Sequence, residues 1–175
     1  MLDYEKLKNP QKTTESRVVI RFQDCDPLRH LNNAKYFDYF FNAREDQVPK
    51  LYGLQVMDFI NAYKAAWVVY QHQIGYIRPA MVGEWVRIFS RIVWFDEYTS
   101  VVEYFMTNDD KTQLKTVLWT TLKYVDFKSG QRVPHQGAVV EYLEAVSLTD
   151  FDPSQHDFNA RVKEIKTEIK GWAER

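Results

Sequence analysis

The chain has 175 residues, 15% of them aromatic, and a formal net charge of −1. That length is most simply one domain with a substantial core, and the near-neutral charge gives no support to nucleic acid or an anionic membrane surface as a partner. A single cysteine excludes an intrachain disulfide, residues 1–16 lack the apolar core of a signal peptide, and no run of about 18 apolar residues occurs, so a cytoplasmic location is expected.

Arg17-Val18-Val19-Ile20-Arg21-Phe22-Gln23 is rich in β-formers, with Val18, Ile20 and Phe22 on one face, and reads as the first strand. It leads into Asp24-Cys25-Asp26-Pro27-Leu28-Arg29-His30-Leu31-Asn32-Asn33. From Asn33 to about Leu51 the period becomes helical. Ala34, Phe37, Phe41, Val48 and Leu51 form an apolar stripe, widened by Tyr36, Tyr39, Phe40 and Ala43. Asp38, Arg44, Glu45 and Asp46 mark the polar sector, and Pro49 blurs the helix end.

Tyr52 to Lys64 has no clear period. Four strand-like segments follow, over Ala66–Ile77, Glu84–Phe95, Thr99–Thr107 and Gln113–Phe127. Their short connections favour consecutive antiparallel pairing, hence a meander. In the last, Leu114, Thr116, Leu118, Thr120 and Leu122 alternate against Lys115, Val117, Trp119, Thr121 and Lys123. Ala138 to Ala145 is a short helical candidate. Ser154 to Trp172 is a second, with Val162, Ile165, Ile169 and Trp172 on a narrow stripe that suits a helix lying on the domain or on a neighbouring subunit. One strand, a long apolar helix and a run of strands make an α+β domain with the helix packed on a curled sheet.

The loop between the first strand and the helix aims a carboxylate at the positive end of a helix, where backbone N–H groups lack partners. Such a pair can attack a carbonyl, or help water attack it, and stabilise the oxyanion that develops. Asp26 is the candidate nucleophile or base; an Asp-Pro pair can also serve only as a turn. Either asparagine can cap the helix. His30 can position water or hold a substrate carbonyl, and Asp24 can orient the loop. Asp24, Asp26 and His30 match no established metal-ligand spacing, so no metal is expected. Cys25 is flanked by acids that disfavour its thiolate, and no G-x-S-x-G motif supports a serine hydrolase.

The order strand, D-x-D-P-x-x-H-x-N-N, aromatic helix with Asn42-Ala43-Arg44-Glu45 resembles the hot-dog-fold acyl-CoA thioesterases, above all the 4-hydroxybenzoyl-CoA thioesterase group and its long-chain acyl-CoA relatives. Tyr76-Ile77-Arg78-Pro79-Ala80 with Gly83-Glu84 is similar to that family's loop between its second and third strands. Lys128-Ser129-Gly130-Gln131-Arg132-Val133-Pro134 is similar to its closing segment, so the likeness spans about residues 17–145. The resemblance implies a hot-dog fold, an antiparallel sheet wrapped around a long central helix. Here it would carry a C-terminal helical extension over about 146–175, within a single domain 1–175.

The resemblance also implies hydrolysis of an acyl thioester, with no cofactor beyond the coenzyme A of the substrate. The expected assembly is a homodimer or dimer of dimers, with two active sites at each dimer interface. By motif position the catalytic carboxylate falls on Asp26, the oxyanion-binding amide on Asn33, and His30 on a family histidine. Asn32, Tyr36 and Arg78 are expected at the substrate, and Phe37, Phe40, Trp67 and Tyr70 could line an acyl slot. The turn Trp94-Phe95-Asp96-Glu97-Tyr98 departs from the family, being acidic where several members hold nucleotide phosphates with cations. Arg29, Lys35, Arg78 or Arg91 could substitute, or the substrate could be an acyl-carrier protein thioester. Two other readings stay open: a hot-dog hydratase or dehydratase, and a non-catalytic acyl-thioester-binding dimer.

Overall fold

The computed structural model describes residues 4–148, 151–153 and 155–173. Its elements are α1 (Tyr4–Leu7), β1 (Thr14–Val19), α2 (Lys35–Tyr52), α3 (Val56–Tyr63), β2 (Ala65–Tyr76), β3 (Trp85–Phe95), β4 (Thr99–Asn108), β5 (Leu114–Asp126), α4 (Ala138–Val146) and α5 (Phe158–Ala173). Ser154, where the sequence pattern starts the last helix, and residues 149–150 and 174–175 of the expected extension lie outside the described residues.

The sheet is antiparallel, in the order β1-β3-β4-β5-β2. The expected meander therefore holds for β3, β4 and β5 but not for β2, which pairs with β5 while β1 takes the place beside β3. The link 77–84 does not turn back on itself because its backbone bonds go elsewhere. Ile77 and Arg78 donate to the Lys115 carbonyl, and Gly83 donates to that of Ile20. The link crosses one end of the sheet, from the β5 side to the β1 side.

The first strand ends earlier than its composition suggests. Residues 22–24 form a 3-10 turn, and Phe22 is 85% exposed rather than inward with Val18 and Ile20. The stretch without a clear period holds α3, which buries Phe59 against Trp67 and Tyr124.

The aromatic face of α2 packs on one face of the sheet, with Phe40 fully buried against Tyr104. The other face carries Phe89, Val93, Val101, Phe105, Val117 and Trp119, covered by Phe158, Ile165 and Ile169 of α5. Leu114 joins this outer cluster rather than the inner one, because the register shifts between Met106 and Thr107 and breaks the alternation of β5 near its start. Under α5 lies a buried ionic group. Glu103, with no exposed surface, accepts from Arg91, Arg161 and the Trp119 indole, and Arg91 also pairs with Glu168. Arg91 is thus committed to the outer face, which corrects its candidacy for substrate phosphates.

Candidate active site

The segment from Asp24 to Asn32 is a small hairpin. Cys25 pairs with Leu31, flanked by hydrogen bonds from Asp26 N–H to the His30 carbonyl (2.8 Å) and from Asn32 N–H to the Asp24 carbonyl (2.9 Å). Its tip at Pro27-Leu28 faces solvent, and Arg29 adopts φ 65°, a left-handed conformation uncommon for a non-glycine residue. The link 77–84 straps the hairpin from the side. Leu31 N–H donates to the Ala80 carbonyl (2.8 Å) and Val82 N–H to that of Arg29 (2.9 Å).

Asp26 is half-buried. Its Oδ1 accepts from the N–H groups of Leu28 (2.9 Å) and His30 (3.0 Å), while Oδ2 has no partner among the described residues. One oxygen therefore fixes the side chain and the other remains open for chemistry. The turn role thus leaves Asp26 one carboxylate oxygen without a partner among the described residues.

At the other end of the hairpin the chain enters α2, two residues later than the expected start at Asn33. Asn32 Oδ1 accepts from Ala34 N–H (3.0 Å), and its carbonyl accepts from Lys35 N–H (2.8 Å). Because a peptide unit is planar and trans, the second bond also fixes the direction of the Asn33 N–H on the opposite side of that unit. This N–H donates to no described group. Tyr76 holds the next unit by donating to the Asn33 carbonyl (2.9 Å). Along the hairpin the Asp26–His30 and Asp24–Asn32 pairs are two steps apart, roughly 7 Å.

His30 is half-buried; its backbone N–H and carbonyl both bond Asp26, it lies opposite Met81 of the link, and its ring bonds nothing among the described residues. Tyr36 stands behind the loop, 2% exposed, where its hydroxyl accepts from Ala80 N–H (3.1 Å) and its ring meets Tyr76 edge-on. Arg78 is exposed on the link, with no side-chain partner among the described residues. Lys35 is engaged with Asp38 at 2.8 Å. Asp24 accepts from the Tyr39 hydroxyl at 2.9 Å, which makes it an orienting group. Burial, then the charges of Asp24 and Asp26, push the Cys25 thiol up, so it stays protonated and unreactive.

Sequence reasoning missed the strap at 80–82 and the two tyrosines, Tyr39 and Tyr76, that hold the loop. Their only signal was an aromatic helix and strand that could equally be core.

Sheet, wrapped helix and strapped loop define a hot-dog-fold protein. The chain belongs to the thioesterase-like superfamily, whose sequence pattern matches residues 20–170. It is 25% identical over 130 residues to the long-chain acyl-CoA thioesterase FadM of Escherichia coli, covering 74% of this chain and 96% of that one. A 1,4-dihydroxy-2-naphthoyl-CoA thioesterase from Synechocystis superposes with TM-score 0.66 at 14% identity, over 77% of this chain and 95% of that one. A 12:0-ACP thioesterase from Umbellularia californica superposes with TM-score 0.72 at 9% identity, over 83% and 55% respectively.

Proposed function

We propose that the protein hydrolyses an acyl-CoA to the free acid and coenzyme A, with Asp26 as nucleophile or general base. The carrying observation is the Asp26 carboxylate: two backbone N–H groups fix one oxygen and leave the other open, in a loop that ends at the unpartnered Asn33 N–H. Asp26 either attacks the thioester carbonyl, giving a mixed anhydride that water opens, or takes a proton from the attacking water. The Asn33 N–H donates to the developing oxyanion, a contact whose loss costs on the order of 3 kcal/mol of transition-state stabilisation. His30 serves as an accessory polar group beside the carbonyl. Arg78 and Arg29, exposed on the strap and the hairpin, are the cations nearest at hand for the nucleotide phosphates. The acyl group runs along Phe37 and Phe41, half-buried on successive turns of α2.

The same reading makes the protein a cytoplasmic homodimer, or dimer of dimers, with active sites at the dimer interface. Its support is the outer edge of β2, unpaired in the single chain, where Val68, Val69 and Tyr70 are exposed. Among the described residues no helix is long and apolar enough to cross a membrane.

Thiol release from short, long and aromatic acyl-CoAs, measured for wild type and Asp26→Asn, tests the assignment. An asparagine Oδ1 can still accept the two backbone N–H bonds, so the variant keeps the loop and loses the carboxylate. The expected loss in kcat is about 100-fold or more. Near-native turnover by the variant would remove Asp26 from the mechanism, and silence of the wild type toward every acyl-CoA would remove CoA as the carrier.

A further inference from the structure

An apolar cavity of about 260 Å³ lies between the C-terminal half of α2, α3 and the inner face of the sheet, walled by Val48, Leu54, Phe59, Trp67, Ile92 and Leu122. Arg44, Tyr104 and Tyr142 share that wall. Arg44 donates one side-chain hydrogen bond, from Nη1 to Ser90 Oγ at 3.0 Å, and has no carboxylate partner among the described residues. A guanidinium carries five N–H donors, so most of them have no acceptor among the described residues. Ser90 and Tyr104 are direct partners across β3 and β4, and Arg44, bonded to Ser90, lines the same cavity as Tyr104.

Tyr104 and Tyr142 are 3% and 2% exposed, yet neither hydroxyl has a hydrogen-bond partner among the described residues. Buried polar groups are nearly always bonded. The three tyrosines of α2 near this region obey that rule, with Tyr36, Tyr39 and Tyr52 bonded to Ala80, to Arg21 and Asp24, and to Gln11. The Tyr104 and Tyr142 hydroxyls differ because their oxygens are not fully enclosed and both residues line the cavity; the fully enclosed side-chain oxygens without a partner among the described residues are Thr116 Oγ1 and Ser147 Oγ. Glu45, the carboxylate on the lining, is solvent-exposed and forms no ion pair with Arg44.

The cavity lies further along α2 from Asn33, with Phe41, Arg44, Glu45 and Val48 on its lining. Arg44 is eleven residues along from Asn33, roughly 16 Å at the helical rise. A thioester carbonyl held at the Asn33 N–H would send a chain of about a dozen carbons to it, past Phe37 and Phe41. The unsatisfied groups waiting there are a cation and two hydroxyls that can donate; a methyl end would satisfy none of them.

We propose that the cavity receives the far end of the acyl group and that this end is a carboxylate, bound by Arg44 with Tyr104 and Tyr142. The preferred substrate class is then the mono-CoA thioester of a long dicarboxylic acid. This inference rests on the thioesterase reading above.

The test compares kcat/KM for carboxyl-ended and methyl-ended acyl-CoAs of equal length, using wild type, Arg44→Met, Arg44→Lys and Tyr104→Phe. Wild type is expected to favour the carboxyl-ended substrate roughly tenfold or more, the scale of one hydrogen bond to a charged group. Arg44→Met should bring the ratio to about one, chiefly through KM, with Arg44→Lys and Tyr104→Phe in between. A wild-type ratio at or below one, or a ratio that Arg44→Met leaves unchanged, overturns the proposal and confines Arg44 to its bond with Ser90. Calorimetric titration with non-hydrolysable CoA thioethers whose chains end in a carboxylate or in a methyl group separates the two readings. Carboxylate-selective binding that Arg44→Met abolishes, without hydrolysis of any thioester, would sink the thioesterase reading and keep the site. Hydrolysis without carboxylate selectivity would do the reverse.

Discussion

Tyr39 ties the entry of the hairpin that carries Asp26 to the central helix. Its hydroxyl accepts from Arg21 N–H at 2.8 Å and donates to Asp24 Oδ2 at 2.9 Å, with burial pushing its pKa up to about 12. Tyr39→Phe removes both bonds and leaves a carboxylate oxygen and an N–H without protein partners. The expected cost is about 1–3 kcal/mol in urea denaturation, with a fall in kcat because the hairpin loses its anchor. His135 is the comparable point at the other end of the helix. Trp67 Nε1 donates to its Nε2 at 3.0 Å, and its Nδ1 lies 2.9 Å from the Asp96 carbonyl, so the ring is neutral with the proton on Nδ1. Burial holds its pKa below that of an ordinary histidine, only partly offset by the Asp96 contacts. The unfolded chain therefore takes up the proton first, and stability is full above about pH 6.5 and falls as pH drops below it. Thermal melts at pH 7.5 and 5.5 should show this loss, and His135→Asn should shrink it; an unchanged difference would clear His135. The residues that sequence reading could place are local ones: Asp26, His30 and Asn33 lie within eight positions. Tyr39, Arg44 and Tyr76 act through partners 15 to 46 residues away, and no spacing reveals such pairs.

Among the elements, α5 is more than a cover. Its Arg161 and Glu168 complete the group around Glu103 and Arg91, where the two arginines and the Trp119 indole outweigh desolvation and hold the Glu103 pKa below the usual carboxylate range. A carboxylate lowered in this way contributes stability above its unfolded pKa and loses it as pH falls through the folded value. Glu103→Leu leaves the buried Arg91 and the partly buried Arg161 without their shared acceptor, and should cost about 3–5 kcal/mol by chemical denaturation. Arg91 would keep Glu168 and Arg161 would keep Glu164, so a loss well under this range would mean that those pairs suffice. Strands β2 to β5 were legible, because alternation and turn residues mark them within a residue or two, whereas β1 runs over Thr14–Val19 rather than Arg17 to Gln23. Their order was not, since a short link such as 77–84 looks like a hairpin until its backbone bonds are known to go to Lys115, Arg29 and Ile20. The α5 stripe told of a buried face without telling which surface it covers.

At the scale of the whole molecule, the sheet has α2 on one face and α5 on the other, which leaves its edges as the places where a second copy can add strands. β2 is the long one, with twelve residues against six in β1, and exposes Val68, Val69 and Tyr70 along it. If assembly runs through this edge, Val69→Lys should shift the protein toward monomer in light scattering, since an edge lysine opposes strand addition. Activity should fall with it if the partner completes the site. A variant that stays assembled would move the interface elsewhere.

The strap has a consequence for the life of the chain before it is finished. The hairpin that carries Asp26 lies near the N-terminus, but its lateral bonds come from Ala80 and Val82, and the strap is itself held at Lys115 of β5. A ribosome must release about a hundred further residues after Asp26 before these contacts can close, and such distant closures are slow to form. A nascent chain that ends short of β5 would therefore contain every candidate catalytic residue and still be inert. Enzymatic activity in this protein is the signature of a completed sheet.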